Sequence, residues 1–120
     1  MAEVKTELDG RQQVMLKLAQ GAADQGRHFF YILIREPLGP HERASRYENV
    51  LSDSLGDLGE ITGGGSQLGE NGAIEFCGID LVVNDRERGL AVIRNCLRKC
   101  GAPLNTIVEE YIPQFRALSI

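Results

Sequence analysis

Residues 59–72 read GEITGGGSQLGENG, and this stretch decides how the chain is laid out. It stands between a helix-patterned segment and a strand-patterned one. Glycine adopts left- and right-handed backbone alike and weakens regular elements, so the run reads as a hairpin connection. A short strand, residues 60–62, enters it, and a long one, residues 73–83 (AIEFCGIDLVV), leaves it. Successive glycines can also aim neighbouring N–H groups at one anion, which makes Gly63, Gly64, Gly65 and Ser66 candidate binding residues. A phosphate loop, however, runs from a strand into a helix N-terminus and carries Lys beside its Ser or Thr. Here the run leads into a strand, no Lys or Arg lies between Glu60 and Val83, and Glu60, Glu70 and Glu75 would repel phosphate. The expectation is a mobile connection able to touch a partner.

Upstream, Ala44, Tyr47, Val50, Leu51, Leu55 and Leu58 recur at three- and four-residue steps after Pro40, which suits the first turn of a helix. An amphipathic helix is predicted there, ending near residues 56–59. Residues 28–36, HFFYILIRE, are apolar on both alternating sets, Phe30, Ile32 and Ile34 on one and Phe29, Tyr31 and Leu33 on the other. A strand covered on both faces reads this way. Residues 8–23 carry a thin helical stripe of Leu8, Met15, Leu18, Ala19 and Ala22. Downstream, Asn84 or Asp85 can cap a helix with the stripe Leu90, Ile93, Cys96, Leu97 and Cys100, which Gly101 and Pro103 end. TIVEEY, residues 106–111, is the last predicted strand, and residues 112–120 form a short, partly apolar tail.

The order is helix, then strand–helix–strand–strand–helix–strand. Two right-handed crossovers satisfy it in one antiparallel sheet with two helices on one face. The class is therefore α+β. In its element order the stretch 28–111 resembles the ferredoxin-like α/β plait, βαββαβ, preceded by an N-terminal helical extension (1–27) and followed by a C-terminal tail (112–120). It is similar also to ACT domains and nitrogen-regulatory PII proteins, in which the loop between the second and third strands is often elaborated. The resemblance implies a fold, and a fold does not transfer function.

Composition bounds the rest. The chain has 120 residues, 42% of them apolar and 25% charged, which is enough for a single domain with its own core. A net charge of −4, no Trp and few aromatics oppose nucleic-acid binding. Charge is uneven, with three bases against nine acids between His28 and Val83 and six bases against four acids beyond. Such a dipolar surface can steer a partner or favour self-association, or can simply be two solvated helix faces. Three cysteines without framework spacing, a polar N-terminal stretch and no long apolar run lead to a cytoplasmic expectation and none of a membrane.

No constellation points to catalysis. Cys77, Cys96 and Cys100 fall where a core is expected and behave as small hydrophobes, so no metal is assigned and no cofactor is expected. His28 and His41 have no nucleophile motif beside them. Asp80 stands out, because it lies in a strand between Ile79 and Leu81, on the face of Ile74, Phe76, Gly78 and Val82. A carboxylate against an apolar sheet face has a raised pKa and can be functional; the plainer alternative pairs it with Arg35. In a plait one sheet face stays open, and here both sets of strand residues are apolar. Residues 8–23, a second copy of the chain, or a small molecule would have to cover the other face. The expectation is a small intracellular protein that acts by protein–protein contact, inhibitor- or immunity-like or self-associating. The alternative is a ligand-sensing module or small enzyme with Tyr31, Arg35 and Asp80 converging in a pocket on the open face.

Overall fold

The structure, a computed structural model, describes residues 2–4 and 7–120, the first three as backbone. It is an α+β fold in which five strands form an antiparallel sheet, extended at one margin by the short strand β1, Ala2–Val4. The remaining elements are α1 (Gly10–Asp24), β2 (His28–Ile34), α2 (residues 40–55), β3 (Gly59–Leu68), β4 (Ile74–Val83), α3 (Arg86–Lys99), β5 (Ile107–Glu110) and β6 (Arg116–Ser119). The sheet order is β1-β6-β5-β2-β4-β3. It is wider than a four-strand sheet, because the expected tail turns back and pairs along β5, Val108 opposite Leu118.

β2 is central and buried on both faces, as its double apolar pattern requires. Phe30, Ile32 and Ile34 pack with Cys77, Ile79, Leu81 and Val83 of β4 beneath α2 and α3. Tyr47, Leu51 and Leu55 come from α2, and Leu90, Ile93 and Leu97 from α3. Pro40 opens α2 at its first turn, and the helix widens into one π-turn over Ala44–Glu48. In α3 the Asp85 side chain caps the Arg88 N–H, and Gly101 (φ 76°) leaves the helix in the left-handed region that glycine tolerates.

The other face is not open. Phe29, Tyr31, Leu33 and Val82 are covered by α1, through Ala19 and Ala22, and by Tyr111 and Phe115. The N-terminal helix is thus the cover, and its stripe is thin because small alanines bring it close to the sheet.

The glycine segment departs most from expectation. Gly63, Gly64 and Gly65 lie inside β3, a ten-residue strand, and the hairpin turn is displaced to residues 69–73. That turn is closed by the Gly69 N–H donating to Ala73 O at 2.8 Å, with Gly72 at φ 81°. At Gly63 and Gly64 neighbouring groups occupy the space of a side chain, whereas Gly65 faces open space. A Cβ on Gly63 would lie 2.7 Å from the Asp80 carboxylate, and one on Gly64 would lie 3.0 Å from the Gly78 carbonyl and 3.1 Å from Arg43.

Candidate functional site

A groove runs between α1 and the β3 margin of the sheet, and Asp80 lies at its middle. Two cavities meet there. One, about 260 Å³, is lined by Leu18, Gly21, Ala22, Phe29, Thr62 and Val82 among others. The second, about 190 Å³, is bounded by Arg11, Met15, Tyr31, Gly65 and Gln67, with Asp80 common to both.

The position of α1 is set at its first turn. Asp9 caps the helix by accepting from the Gln12 N–H at 2.8 Å, while Gln12 Oε1 accepts from the Asp9 N–H at 3.1 Å. This orients Arg11 and Gln12 toward β5. The Arg11 guanidinium donates to both oxygens of buried Glu109 at 2.8 and 3.1 Å, and Gln12 Nε2 and the Tyr111 hydroxyl donate at 3.3 and 2.6 Å. Four donors therefore hold one carboxylate under the helix, which is what a buried charge needs. The same guanidinium lies 4.8 Å from the Tyr31 ring centroid and 5.8 Å from that of Phe76. Burial pushes the Tyr31 hydroxyl above its usual range, against the pull of Arg11.

Asp80 is placed differently. It is the cross-strand partner of Tyr31, it sits half-buried, and its Oδ2 accepts from the Thr62 hydroxyl at 3.2 Å. Thr62 reaches it because a register break between Ile61 and Gly63 makes Thr62 the extra residue of β3. Burial raises the Asp80 pKa, and the Thr62 and backbone hydrogen bonds only partly offset this. Among the described residues no cation forms an ion pair with Asp80. The two arginines that line the groove are both engaged elsewhere, Arg11 with Glu109 and Arg27 with Glu60 at 2.9 Å.

Of the residues expected to form a site, Tyr31, Gly65 and Asp80 line one cavity, and Gly63 lies directly under the Asp80 carboxylate. Gly64 and Ser66 contribute to the rim, but the Ser66 hydroxyl is turned to the opposite face. There it donates to Leu38 O at 3.0 Å and accepts from Arg43 at 3.4 Å. Arg35 is set apart. Ile34 stands opposite Cys77, so Arg35 passes beyond the paired region, about 13 Å along the strand from the level of Asp80.

Sequence reading missed Arg11, Thr62 and Glu109. The adjacent acids of TIVEEY did carry a signal, since neighbours in a central strand point to opposite faces and each must then find its own cation. Glu110, on the other face, is held by Arg86 and by His28 Nε2 at 2.8 Å. The thiols carry no such signal: Cys77 and Cys96 are buried, and among the described residues no group of three or more His, Cys, Asp or Glu is placed to hold a metal. Nor is any helix there long and apolar enough to cross a membrane.

Nothing matches this chain in comparisons with protein-family models, with curated proteins or with solved structures.

Proposed function

We propose that the protein acts by binding another protein along the free margin of β3, and that a second copy of the chain is the partner to test first. The observation that carries this reading is the edge itself. β3 has ten residues, pairs on one side only among the described residues, and contains a single ionisable residue, Glu60. Natural sheets blunt edges of this length with Lys, Pro or short strands. Here the protection is limited to register breaks at Thr62 and before Leu68, and residues 63–67 between them pair regularly with β4. Their outer N–H and C=O groups form a template for strand addition. Leu68, 57% exposed, extends it with apolar surface.

The architectural reading goes with this one. The inner strand order β5-β2-β4-β3, with α2 and α3 packed on one face, supports a ferredoxin-like plait widened by β6. Three free thiols support a reducing, cytoplasmic setting.

Light scattering over a wide concentration range, with hydrogen exchange on the same samples, tests the proposal. The mass should move toward twice that of one chain, while those amides of residues 62–67 that point away from β4 gain protection together. Gln67→Lys, which sets like charges on the shared edge, should return the mass to one chain. A constant single-chain mass, with those amides exchanging freely at the highest concentration, removes self-pairing.

A further inference from the structure

We propose that the groove at Asp80 is a binding site for a small organic ammonium, with the cation on the Asp80 carboxylate and an apolar body in the cavity beside it. The argument is one of charge and shape. Each arginine that lines the groove already faces its own carboxylate, Arg11 with Glu109 and Arg27 with Glu60. These pairs cancel. What remains is the Asp80 charge, half-buried and held by neutral groups alone, the Thr62 hydroxyl and a backbone hydrogen bond. A carboxylate in that position costs folding free energy that its amide counterpart would not. A cationic ligand would remove the cost.

The surroundings select the kind of cation. A hard metal ion takes several oxygen ligands, and among the described residues Asp80 is the single carboxylate here not already shared with an arginine. The larger cavity is walled by Phe29, Val82, Ala22 and Leu18, apolar surface suited to a hydrocarbon body. Access is open, because Gly21 on α1 and Gly65 on β3 both face empty space where a side chain would stand. An ammonium suits the carboxylate better than a wide guanidinium, since Oδ2 already accepts from Thr62.

The test is a titration of the intact chain with phenethylammonium, followed by NMR, with phenethyl alcohol as the uncharged counterpart. Saturable shifts are expected at Phe29, Tyr31, Thr62 and Val82, and the alcohol should bind roughly tenfold to a hundredfold more weakly. Asp80→Asn should weaken the ammonium by a similar factor while raising the thermal midpoint, a pairing that a purely structural aspartate would not give. Gly21→Leu, which fills the mouth from a solvent-facing helix position, should also weaken binding without loss of stability. Equal binding of the ammonium and the alcohol, equal binding by wild type and Asp80→Asn, or shifts that never saturate would each overturn the proposal.

Discussion

Tyr31 lies across Gly78 so closely that a Cβ at residue 78 would sit 1.7 Å from the tyrosine hydroxyl and 2.2 Å from the ring carbon that bears it. Tyr31 cannot swing clear, since it is buried beneath α1 with Arg11 over its ring. Gly78→Ala should therefore cost about 1–3 kcal/mol in urea unfolding. Tyr31→Phe in that background should restore only part of the loss, because the ring carbon clashes as well as the hydroxyl. Full restoration would mean that the ring moves freely.

The Glu109 clamp makes a second prediction. Arg11→Ala leaves a buried carboxylate with Gln12 and Tyr111 as its remaining donors and should destabilise the fold by about 2–3 kcal/mol. This lies below the usual loss for a fully buried pair, because Arg11 is partly solvated. Adding Glu109→Gln should recover part of the loss, since the stranded charge is then gone. A double-mutant cycle from denaturant unfolding measures that coupling.

Two carboxylates should bend the pH dependence of stability in opposite directions. Burial works against ionised Glu110, but Arg86 and His28 outweigh it, and its pKa is lowered. Its contribution is present above the ordinary value of 4.5 and is lost as pH falls through the lower folded value. For Asp80 the folded pKa is raised, chiefly by burial. Its contribution is complete below the ordinary 3.8 and disappears as pH rises through the folded value, so at neutral pH the charge is a burden. Glu110→Gln should thus lose stability at pH 7 and flatten the acid limb. Asp80→Asn should gain stability at pH 7 and little at pH 3. Thermal unfolding across that range checks both signs.

The glycines of β3 should not be equivalent. A Cβ at Gly65 would meet nothing within 4 Å, whereas one at Gly63 would face the Asp80 carboxylate at 2.7 Å. Gly65→Val should stabilise by about 0.5 kcal/mol, through β-branching and a smaller unfolded-state entropy. Gly63→Val should cost about 1–3 kcal/mol. In a mobile loop both would be near neutral, so the contrast separates strand from loop by equilibrium unfolding.

Much of the fold was legible in local pattern. The doubly apolar run Phe29–Ile34 announced a central strand, and Gly101 and Pro103 marked the end of α3. The glycine run misled because propensity alone places glycine in loops. Two of its glycines sit against groups from other elements, Gly63 under Asp80 and Gly64 beside Arg43, where a side chain would crowd them. The site was half legible. Tyr31 and Asp80 could be put on one face by alternation, but Arg11 and Glu109 meet across 98 residues, and no spacing in the sequence records that contact.

The pairing of Ala2–Val4 with Arg116–Ser119 brings both ends of the chain to one margin of the sheet, with β3 at the other. Five inter-strand steps separate the two margins, about 24 Å. A surface, dye or carrier attached at either terminus therefore leaves the β3 edge and the Asp80 groove exposed. The same geometry favours a circular permutant: the old ends can be joined by a short linker, and new ones opened in the turn at residues 69–73, beside the edge that strand addition would use.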